Sequence, residues 1–499
     1  MRTTLLFAAS LLFVCAAIAN GPVSAQSEQK WTAEDFTGLK DALAAAKNVR
    51  ASSLGENALV AIDDGKAIRY WTASAAGARP LKWADGKDFT AQDVTVHQQG
   101  KIAYCELSRG ESAPNEGFCI ENGVAYSVTK PDGKPVSDVR VQFVTAAGVT
   151  LAWATHEKEK RLFALEGRKA KPIVDSEGNE LVVSGWFLSN SADGGIYARY
   201  NPIDGSPQKV EWLQGDRVKP LDLPAMPEEY SGEQWRTDYM HFKDRVLVTT
   251  LDMTTAHGAA WLDVGGKAQK LVDSSGNPIS HRGYDTFCSE GKVYLQASDF
   301  DDEGTQFTTT LYRVDPDKCV KLKLPKEPAL ELYVRVTLAN HTMLCTIGRG
   351  KPAWLFSIIG DEVVPIREPD GAAVVGTPVA VSERHGENTL VKYSVGGKPR
   401  WGALKGSTMS PLLATGEDEL APHPVAIAGS TLFRIWQADG VGHVGPCVPG
   451  KVAADLHDKS KAVVQGADLS AAGAGDCLLV AFQDAKAKKW RLLIAKKKG

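Results

Sequence analysis

The stretch LFALEGRKAKPIVDSEGNEL, residues 162–181, decides the fold because the chain repeats its pattern. Similar stretches stand at 261–280, 355–374 and 401–420. In each, an aromatic residue leads a short apolar strand, a glycine turn follows about four residues later, and an apolar pair preceded by Pro or Lys comes after about ten. Such repeats must be identified first, because a period of about 40–50 residues determines the whole architecture.

The leading position of this pattern recurs along the chain at spacings of 44 to 51 residues, with one gap of 89 that spans two periods. The leading residues are Trp71, Phe118, Phe163, Trp212, Trp261, Tyr312, Phe356, Trp401 and Trp490. A further unit, which has lost its aromatic residue, has its leading position near Pro446. The sequence therefore predicts ten units averaging about 47 residues.

Upstream of each leading residue lie two apolar strands joined by a tight turn, as in VRVQFVTAAGVTLAWAT (139–155) and PVAIAGSTLFRIWQ (424–437). Their Val, Ile, Leu and aromatic residues, with Gly or Ser at the joints, are typical of β-hairpins. Each unit thus holds four strands, and a repeated four-stranded unit of this length indicates the blade of a β-propeller. A single small sheet can bury both of its apolar faces only by stacking between neighbours. The predicted fold class is all-β, a propeller of about ten blades.

A duplicated phrase predicts how the ring closes. QKWTAEDFT (29–37) resembles LKWADGKDFT (81–90), which is interpreted as the fourth strand and turn of unit 1. Unit 10 ends at WRLLIAKKKG without such a strand, so a strand from 28–37 is expected beside Trp490, where it would cover an open edge. Between this strand and unit 1, GLKDALAAAK is expected to form a short helix. Two smaller propellers in tandem are the alternative, since propellers typically have about four to eight blades.

The N-terminus has the features of a secretory signal peptide over 1–25, which leaves 26–499 as the propeller. Arg2 precedes an apolar run over 5–19, and small residues stand before Gln26. That run is shorter than the roughly 20 residues that cross a bilayer. Without Arg2, the formal charge changes from −3 to −4. We expect a secreted or periplasmic protein that is not inserted in the membrane and does not bind nucleic acid.

Seven cysteines follow the leader. In an oxidising compartment, six of them are candidates for disulfides whose connectivity the sequence does not fix: Cys105, Cys119, Cys288, Cys319, Cys447 and Cys477. Cys105 with Cys119 is one close pair. The odd one, Cys345 in HTMLCTI, is expected to be a buried free thiol, because apolar surroundings suppress the thiolate.

Taken together, the repeats resemble secreted β-propeller repeat proteins as a broad superfamily, over nearly all of the mature chain. The WD dipeptide is absent from regular blade positions, and SADGG at 191–195 is a weak echo of the aspartate box of sialidases. The resemblance implies architecture only, because function does not follow from a propeller fold.

Searches for catalytic motifs find no GxSxG, HExxH, P-loop or CxxC pattern. GVGHVG at 440–445 is interpreted as a hairpin turn, because the prolines that follow it prevent a helix N-terminus. No cofactor is expected, and calcium is the one metal that the sequence suggests. Asp299, Asp301 and Glu303 alternate before Gly304 in SDFDDEGT, and hard carboxylate oxygens on one turn suit Ca²⁺.

In a propeller, the connections between blades and the loops between second and third strands emerge on one face, around the channel. WRTDY (235–239) and HRGYD (281–285) stand at the start of units 5 and 6 on that face. Arg forks suit carboxylates and aromatic faces suit sugar rings. The alternative role for such residues is hydrogen bonding between blades. The candidate ligand-binding residues are Trp235, Arg236, Asp238, Tyr239, His281, Arg282, Asp285, Glu331 and Arg335.

Three functions follow from these observations. A non-catalytic exported propeller that binds a protein or carbohydrate is favoured, because no compact catalytic constellation can be assembled. A glycan-active enzyme, hydrolase or lyase, is the first alternative; a hydrolase would need two carboxylates about 5–9 Å apart. The second alternative is a structural module of a cell-envelope assembly, which would carry an apolar patch on its rim or side.

Overall fold

The computed structural model describes the chain in segments. These are residues 31–99, 102–108, 116–136, 140–144, 150–156, 159–190, 196–202, 209–214, 216–220, 226–230, 235–242, 245–252, 254–255, 257–264, 266–289, 292–300, 307–315, 318–325, 332–338, 341–346, 354–385, 388–395, 398–415 and 419–497. Within them, helical structure is limited to 3₁₀ turns at Thr37–Leu39 and Glu228–Tyr230 and a helix, α1, at Lys40–Ala44.

Strands fill the rest of the fold in units of four. Strand β1 is Trp31–Asp35. Unit 1 holds β2 Asn48–Leu54, β3 Asn57–Asp63, β4 Ile68–Ser74 and β5 Gly77–Pro80, and is followed by the short strand β6 Lys82–Trp83. Unit 2 holds β7 Asp93–Gln99, β8 Ile102–Ser108, β9 Glu116–Glu121 and β10 Val124–Ser127. Unit 3 holds β11 Arg140–Val144, β12 Thr150–His156, β13 Glu159–Glu166 and β14 Lys169–Pro172. Unit 4 holds β15 Val182–Asn190, β16 Ile196–Pro202, β17 Lys209–Gln214 and β18 Arg217–Pro220.

The remaining units continue in the same way. Unit 5 holds β19 Trp235–Phe242, β20 Arg245–Asp252, β21 Gly258–Val264 and β22 Lys267–Lys270. Unit 6 holds β23 Gly283–Ser289, β24 Lys292–Phe300, β25 Phe307–Val314 and β26 Cys319–Lys321. Unit 7 holds β27 Leu332–Leu338, β28 His341–Thr346, β29 Leu355–Ile359 and β30 Glu362–Pro365. Unit 8 holds β31 Thr377–His385, β32 Asn388–Val395, β33 Lys398–Lys405 and β34 Thr408–Pro411. Unit 9 holds β35 Glu419–Ala428, β36 Thr431–Ala438 and β37 Val441–Pro446, followed by β38 His457–Asp458. Unit 10 holds β39 Gln465–Ala474, β40 Cys477–Gln483 and β41 Trp490–Lys497.

Within a unit, consecutive strands pair antiparallel in chain order, which makes each unit a propeller blade. Alternate side chains of a strand point to opposite faces of its sheet. On β3, Leu59 therefore packs towards blade 2 and Val60 towards blade 10. Because both faces are buried, the middle strands are almost continuously apolar, as the sequence predicts.

Nine buried clusters each join two blades that follow one another. Eight of them connect blades 1 to 4 and blades 5 to 10 in chain order, and the ninth packs blade 10 against blade 1. Blade 10 would not meet blade 1 if the chain formed two separately closed rings. The packing therefore favours a single ring, and its closure between blades 4 and 5 stays a prediction.

Strand β1 lies beside the last strand of the chain. It pairs antiparallel with β41, with Trp31 opposite Lys497 and Asp35 opposite Leu493. The first residues of the described chain thus form the fourth strand of blade 10, as the duplicated phrase predicts. The predicted helix also forms, with Leu39 and Leu43 buried in the core shared by blades 10 and 1.

The interpretation of 81–90 as a fourth strand is wrong. The fourth strand of blade 1 is β5, and 81–90 is the connection to blade 2. Leu81 and Phe89 anchor this connection in the core, and a tight turn lies between them at Gly86, whose φ is +84°. The resemblance between the two phrases therefore does not reflect equivalent positions, because Trp31 lies in a fourth strand and Trp83 follows one.

Seven connections in the described part of the chain also bind the outer strand of the blade that follows. One residue just after the fourth strand forms a parallel bridge to that next outer strand. The bridges are Lys82 with Val124, Thr129 with Lys169, Val174 with Arg217, Lys323 with Glu362, Arg367 with Thr408, Leu413 with Val452, and His457 with Thr32 of β1. Backbone hydrogen bonds thus link successive blades along the outer rim.

Residues 226–230, which precede β19, pack against the side of blade 5. Met226 and Tyr230 cover Val248 and Trp261, and the Tyr230 and Trp261 rings meet edge to face at 4.7 Å. This segment therefore covers the face of blade 5 that lies opposite the face packed on blade 6.

The predicted disulfides are wrong for the cysteines whose side chains the structure describes. Cys105, Cys119, Cys319, Cys447 and Cys477 are free and buried. Cys105 pairs with Phe118 in the sheet and Cys119 with Tyr104, so the two thiols point to opposite faces of blade 2. The five thiols lie in five different clusters between blades. The side chains of Cys288 and Cys345 lie outside the described part, and their predicted states stay predictions.

We expect these five thiols to resist alkylation in the folded protein. Burial raises the pKa of each, to about 11 for Cys119 and Cys447. At pH 8, about one in a thousand of those two thiols would be ionised, and the thiolate is the reactive form. Iodoacetamide labelling followed by peptide mass mapping should modify the five only after denaturation. Labelling at equal rates in folded and unfolded protein would contradict the buried placement.

Candidate functional site

The candidate residues at the start of blade 6 form a filled groove against blade 5. His281 Nδ1 lies 2.7 Å from Asp299 Oδ2, and the backbone N–H of Arg282 donates to Asp299 Oδ1 at 3.1 Å. The Tyr284 hydroxyl accepts from the His281 N–H at 2.8 Å, and its single proton is shared between the Ile279 carbonyl at 3.1 Å and the Gly258 carbonyl at 3.3 Å. These bonds fasten the connection to the two blades, which is the inter-blade role that the sequence left open.

Burial supports a structural role for this cluster. Desolvation raises the pKa of Tyr284 far above its usual value, so its hydroxyl stays a neutral hydrogen-bond donor. The His281 side chain is only 16% exposed, and its ring also contacts Tyr284 and Tyr312. Asp285 is exposed on strand β23. Arg282 and Asp285 each take part in further interactions.

Other predicted site residues are only partly described. Asp238 and Tyr239 are half-buried on β19, with Tyr239 packed towards Trp261. For Trp235, Arg236 and Arg335 the structure describes strand backbone only, on β19 and β27. Glu331 lies outside the described residues.

The calcium site stays a prediction for the same reason. Asp301 and Glu303 lie outside the described residues, and Asp299 already binds His281 and Arg282. No group of three or more His, Cys, Asp or Glu side chains in the described segments is placed to hold a metal ion.

An equivalent groove between blades 1 and 2 is open. The N–H of Leu81 donates to the Tyr70 carbonyl, and in the same way the N–H of Leu271 donates to the Ala260 carbonyl. Residues 81–94 are therefore structurally equivalent to residues 271–284. Here a pocket of about 560 Å³ lies between the loop at 63–68 of blade 1 and the connection residues Trp83 and 90–92. Its volume falls within the range of small-ligand sites, about 300–1,000 Å³.

Two small residues explain why this groove is open. Ala91 stands where His281 stands in the other groove, and Val94 stands where Tyr284 stands. In the filled groove, Tyr284 packs so closely on Gly258 that a Cβ there would meet its ring at 2.6 Å. In the open groove, the position of Gly258 is held by Ile68, which lines the pocket. The two connections thus have equivalent backbones, but side chains fill the groove between blades 5 and 6 and leave a cavity between blades 1 and 2.

The walls of the blade 1–2 pocket combine one aromatic ring with polar groups. Trp83 is half-buried, and its ring is held by Phe89 and Phe118 with centroids 4.9 and 5.8 Å away. Thr90 and Gln92 belong to the same connection and are exposed beside the cavity. The pocket therefore offers a fixed apolar surface beside hydroxyl and amide groups.

The loop that forms the other wall is held by its own carboxylates. Asp63 Oδ1 accepts from Gly65 N–H at 2.7 Å. Asp64 Oδ1 accepts from the Ala67 and Lys66 N–H groups, and its other oxygen pairs with Arg69 at 3.1 Å. Hydrogen bonds from the Ala67 and Lys66 backbone hold the Asp64 pKa below its usual value. The loop is thus fixed by internal bonds before any ligand binds.

Trp83 is a pocket residue that sequence reasoning missed, although a signal was present. The same position in the other described connections is held by Lys130, Asp175, Asp273, Leu324, Glu368, Ala414 and Asp458. Tryptophan at a position that is mostly small or charged departs from the repeat of the chain itself. That departure singles out the first connection.

The sheets, their strand order and the packing of successive blades define the chain as a β-propeller protein with an open pocket between its first two blades. No protein-family model matches the sequence, and no curated protein matches it either. In the described segments, no helix is long and apolar enough to cross a membrane.

Several solved propeller structures show distant similarity. The propeller domain of the trilobed protease from Pyrococcus furiosus is 11% identical, with a TM-score of 0.38, over 64% of this chain and 97% of that one. A puromycin-hydrolyzing peptidase from Mycobacterium tuberculosis is 13% identical, with a TM-score of 0.31, over 80% of this chain and 64% of that one. An exo-β-1,3-galactanase from Clostridium thermocellum is 10% identical, with a TM-score of 0.20, over 83% and 98%. Matches this distant carry no information about ligand or activity.

Proposed function

We propose that this protein is an exported binding module that takes a saccharide in the blade 1–2 pocket. The observation that carries the proposal is that one cavity is lined both by the Trp83 ring, held in place by Phe89, and by the exposed side chains of Thr90 and Gln92. Sugar rings present apolar C–H faces and a rim of hydroxyls. An aromatic surface beside hydrogen-bonding side chains complements both. The leader at 1–25 is what suggests export.

Binding is favoured over hydrolysis because of the state of the carboxylates. A glycosidase needs two carboxyl groups about 5–9 Å apart, one of them kept protonated near neutral pH. Asp64, beside the pocket, has a lowered pKa, and Asp63 is occupied in its turn. Neither suits a general acid. A glycan-active enzyme therefore remains the alternative function, and cleavage of an oligosaccharide would test it.

The pocket can be tested by filling it. We expect Ala91→His to weaken saccharide binding at least about 10-fold, because the larger side chain occupies the cavity as His281 does at the equivalent position. The full chain would first be screened on a glycan array. The best oligosaccharide would then be titrated into both proteins by calorimetry, and the mixture would be analysed for cleavage products.

Ala372→His is the matched control, because Ala372 is exposed in the connecting turn between blades 7 and 8. That variant should bind as the unchanged protein does. If Ala91→His binds as tightly as the unchanged protein, the ligand does not bind in this pocket. If no glycan on the array binds, the proposal is wrong. If the oligosaccharide is cleaved, the protein is an enzyme and not a binding module.

A second candidate, a structural module of a larger assembly, is favoured by an apolar patch on the outer rim. Leu413, Val448 and Val452 are 39%, 45% and 55% exposed where blade 9 has a single bridge in place of a fourth strand. Exposed apolar groups of this kind mark contact surfaces when they are contiguous. Sedimentation would compare the double variant, Val448→Ser with Val452→Ser, with the unchanged protein. If both have the same molecular mass, the protein does not self-associate through the patch.

A further inference from the structure

We infer that the ligand of the blade 1–2 pocket is an anionic saccharide, held by a lysine rim on the blade 10 side of the cavity. The inference rests on the proposed function and adds the charge of the ligand. The lysine rim consists of Lys47, Lys66, Lys486, Lys488 and Lys489. All five are exposed on the face where the connections between blades emerge.

Two of these lysines stand at the pocket itself. Lys66 lines it. The side chain of Lys47 fills the space that a Cβ on Gly65, another lining residue, would take. The Lys47 backbone is fixed from both sides, because its N–H donates to the Asp63 carbonyl at 2.6 Å and its carbonyl accepts from Trp490 Nε1 at 2.9 Å. The Lys47 ammonium group is thus anchored close to the cavity.

The other three lysines continue the rim on blade 10. Lys486, Lys488 and Lys489 belong to the loop between β40 and β41, and Lys489 directly precedes Trp490. The Asp484 side chain accepts the N–H groups of Lys486 and Ala487 at 2.9 and 2.8 Å, which closes the loop as a turn. Because Trp490 bonds to Lys47, this loop adjoins the pocket wall.

The five ammonium groups are available to an anion. In the described part of the chain, none of them lies within 4.0 Å of a carboxylate, whereas lysines elsewhere do, such as Lys323 with Glu362 and Lys459 with Glu34. The nearby acids are engaged: Asp64 pairs with Arg69, and Asp63 and Asp484 accept backbone N–H groups. Asp64 and Asp484 still attract Lys66 and Lys486 through space. The five lysines nevertheless outnumber the three carboxylates of Asp63, Asp64 and Asp484, so the rim has a positive local potential in a chain whose formal charge is −3.

A saccharide bearing carboxylate or sulfate groups matches both halves of this surface. Its rings would meet Trp83, Thr90 and Gln92, while its anionic groups would reach the lysine rim. A neutral sugar would leave the rim unused, and a polyanion without sugar rings would leave Trp83 unused. Electrostatic attraction of this kind weakens with salt, since the screening length falls from about 10 Å at 0.1 M to about 3 Å at 1 M.

The test compares charged and neutral forms of the same sugars against the full chain. One arm uses tetragalacturonate and its methyl ester, and the other uses a sulfated galactan tetrasaccharide and its desulfated form. We expect the anionic form of at least one pair to bind about 10-fold or more tightly than its neutral form at about 0.05 M salt, with the difference shrinking at about 0.5 M.

Matched lysine variants locate the effect. Lys47→Gln with Lys66→Gln should remove most of the charge preference, about 10-fold, because both groups stand at the pocket. Lys169→Gln with Lys267→Gln removes the same charge from the opposite face, beside turns between third and fourth strands, and should change binding less than about twofold.

Each outcome bears on one claim. Equal binding of charged and neutral sugars overturns the anionic ligand and leaves the proposed function intact. Charge preference that survives the Lys47 and Lys66 changes overturns the lysine rim as its cause. A single-stranded oligonucleotide of equal charge that binds as tightly overturns the assignment to saccharides. If none of the four sugars binds and the glycan array is also empty, the proposed function fails and the inference fails with it.

Discussion

Replacing Trp31 by alanine is expected to lower the free energy of unfolding by about 3–5 kcal/mol, the usual cost of truncating a buried aromatic residue. Trp31 is 7% exposed in the core between blades 9 and 10, where its ring meets Phe433 edge to face at 4.7 Å. It is also the residue of β1 that pairs with Lys497 at the end of the chain. Truncation removes the main apolar anchor of a strand that is only five residues long.

Trp31→Phe is the control for this experiment. The indole N–H of Trp31 is buried without a hydrogen-bond partner in the described structure, so its loss breaks no bond. Phenylalanine keeps the aromatic contact, and we expect a loss below about 1.5 kcal/mol. Guanidinium unfolding followed by tryptophan fluorescence and circular dichroism would measure both variants. Equal and small losses would show that β1 does not hold the last blade in place.

Gly473→Ala is expected to be at least as damaging, with a loss of about 3 kcal/mol or more. Gly473 lies on β39, the inner strand of blade 10, where a Cβ would overlap the carbonyl oxygen of Ile427 on the inner strand of blade 9. Its N–H also donates to Ser53 Oγ of blade 1 at 3.1 Å. Because the clash is with backbone, no rotamer change can relieve it, which places the cost at the upper end of the range for overpacking.

Gly283→Ala provides the comparison, since Gly283 also lies on an inner strand, β23. The nearest atom to its Cβ position is the Ser298 carbonyl oxygen at 3.9 Å, an ordinary contact. We expect a change within about 0.5 kcal/mol for this variant. If Gly473→Ala does not fold, a low soluble yield of this variant together with a normal yield of Gly283→Ala would also support the close approach of the two blades. Equal stability of the two variants would contradict the close approach of blades 9 and 10.

The repeat could be predicted from sequence because burial on both faces constrains many residues in every blade. The pairing of the N-terminal strand with the last strand of blade 10 could also be predicted, although the reasoning contained an error. QKWTAEDFT and LKWADGKDFT resemble each other because each places aromatic residues where the chain meets a neighbouring blade, but only Trp31 lies in a fourth strand. A tryptophan on an outer strand and one on a connection look alike in sequence.

The disulfide prediction failed for a geometric reason. Whether two cysteines on neighbouring strands can meet depends on register, and the offset between Cys105 and Cys119 turns them to opposite faces of the sheet. The sequence shows that both lie in strands. It does not show which residues are opposite each other.

The candidate site shows a different limit. The open pocket lies beside the start of an inner strand, which is the part of the repeat that was selected from the sequence, but the junction between blades 5 and 6 was chosen because its side chains look reactive. There His281 and Tyr284 fill the groove, whereas Ala91 and Val94 leave it open between blades 1 and 2. Residues that make a cavity by being small give no chemical signal, so the clue lay in Trp83, which departs from the other connections.

The pairing of β1 with β41 has a consequence for how the protein is made. Trp31 leaves the ribosome long before its partner Lys497, which lies on the last of the described strands. Pairs so distant along a chain form late and slowly. During synthesis, blades 1 to 9 can stack as they appear, while the first strand waits without a partner. Synthesis of β41 is therefore the step that gives the first strand its partner.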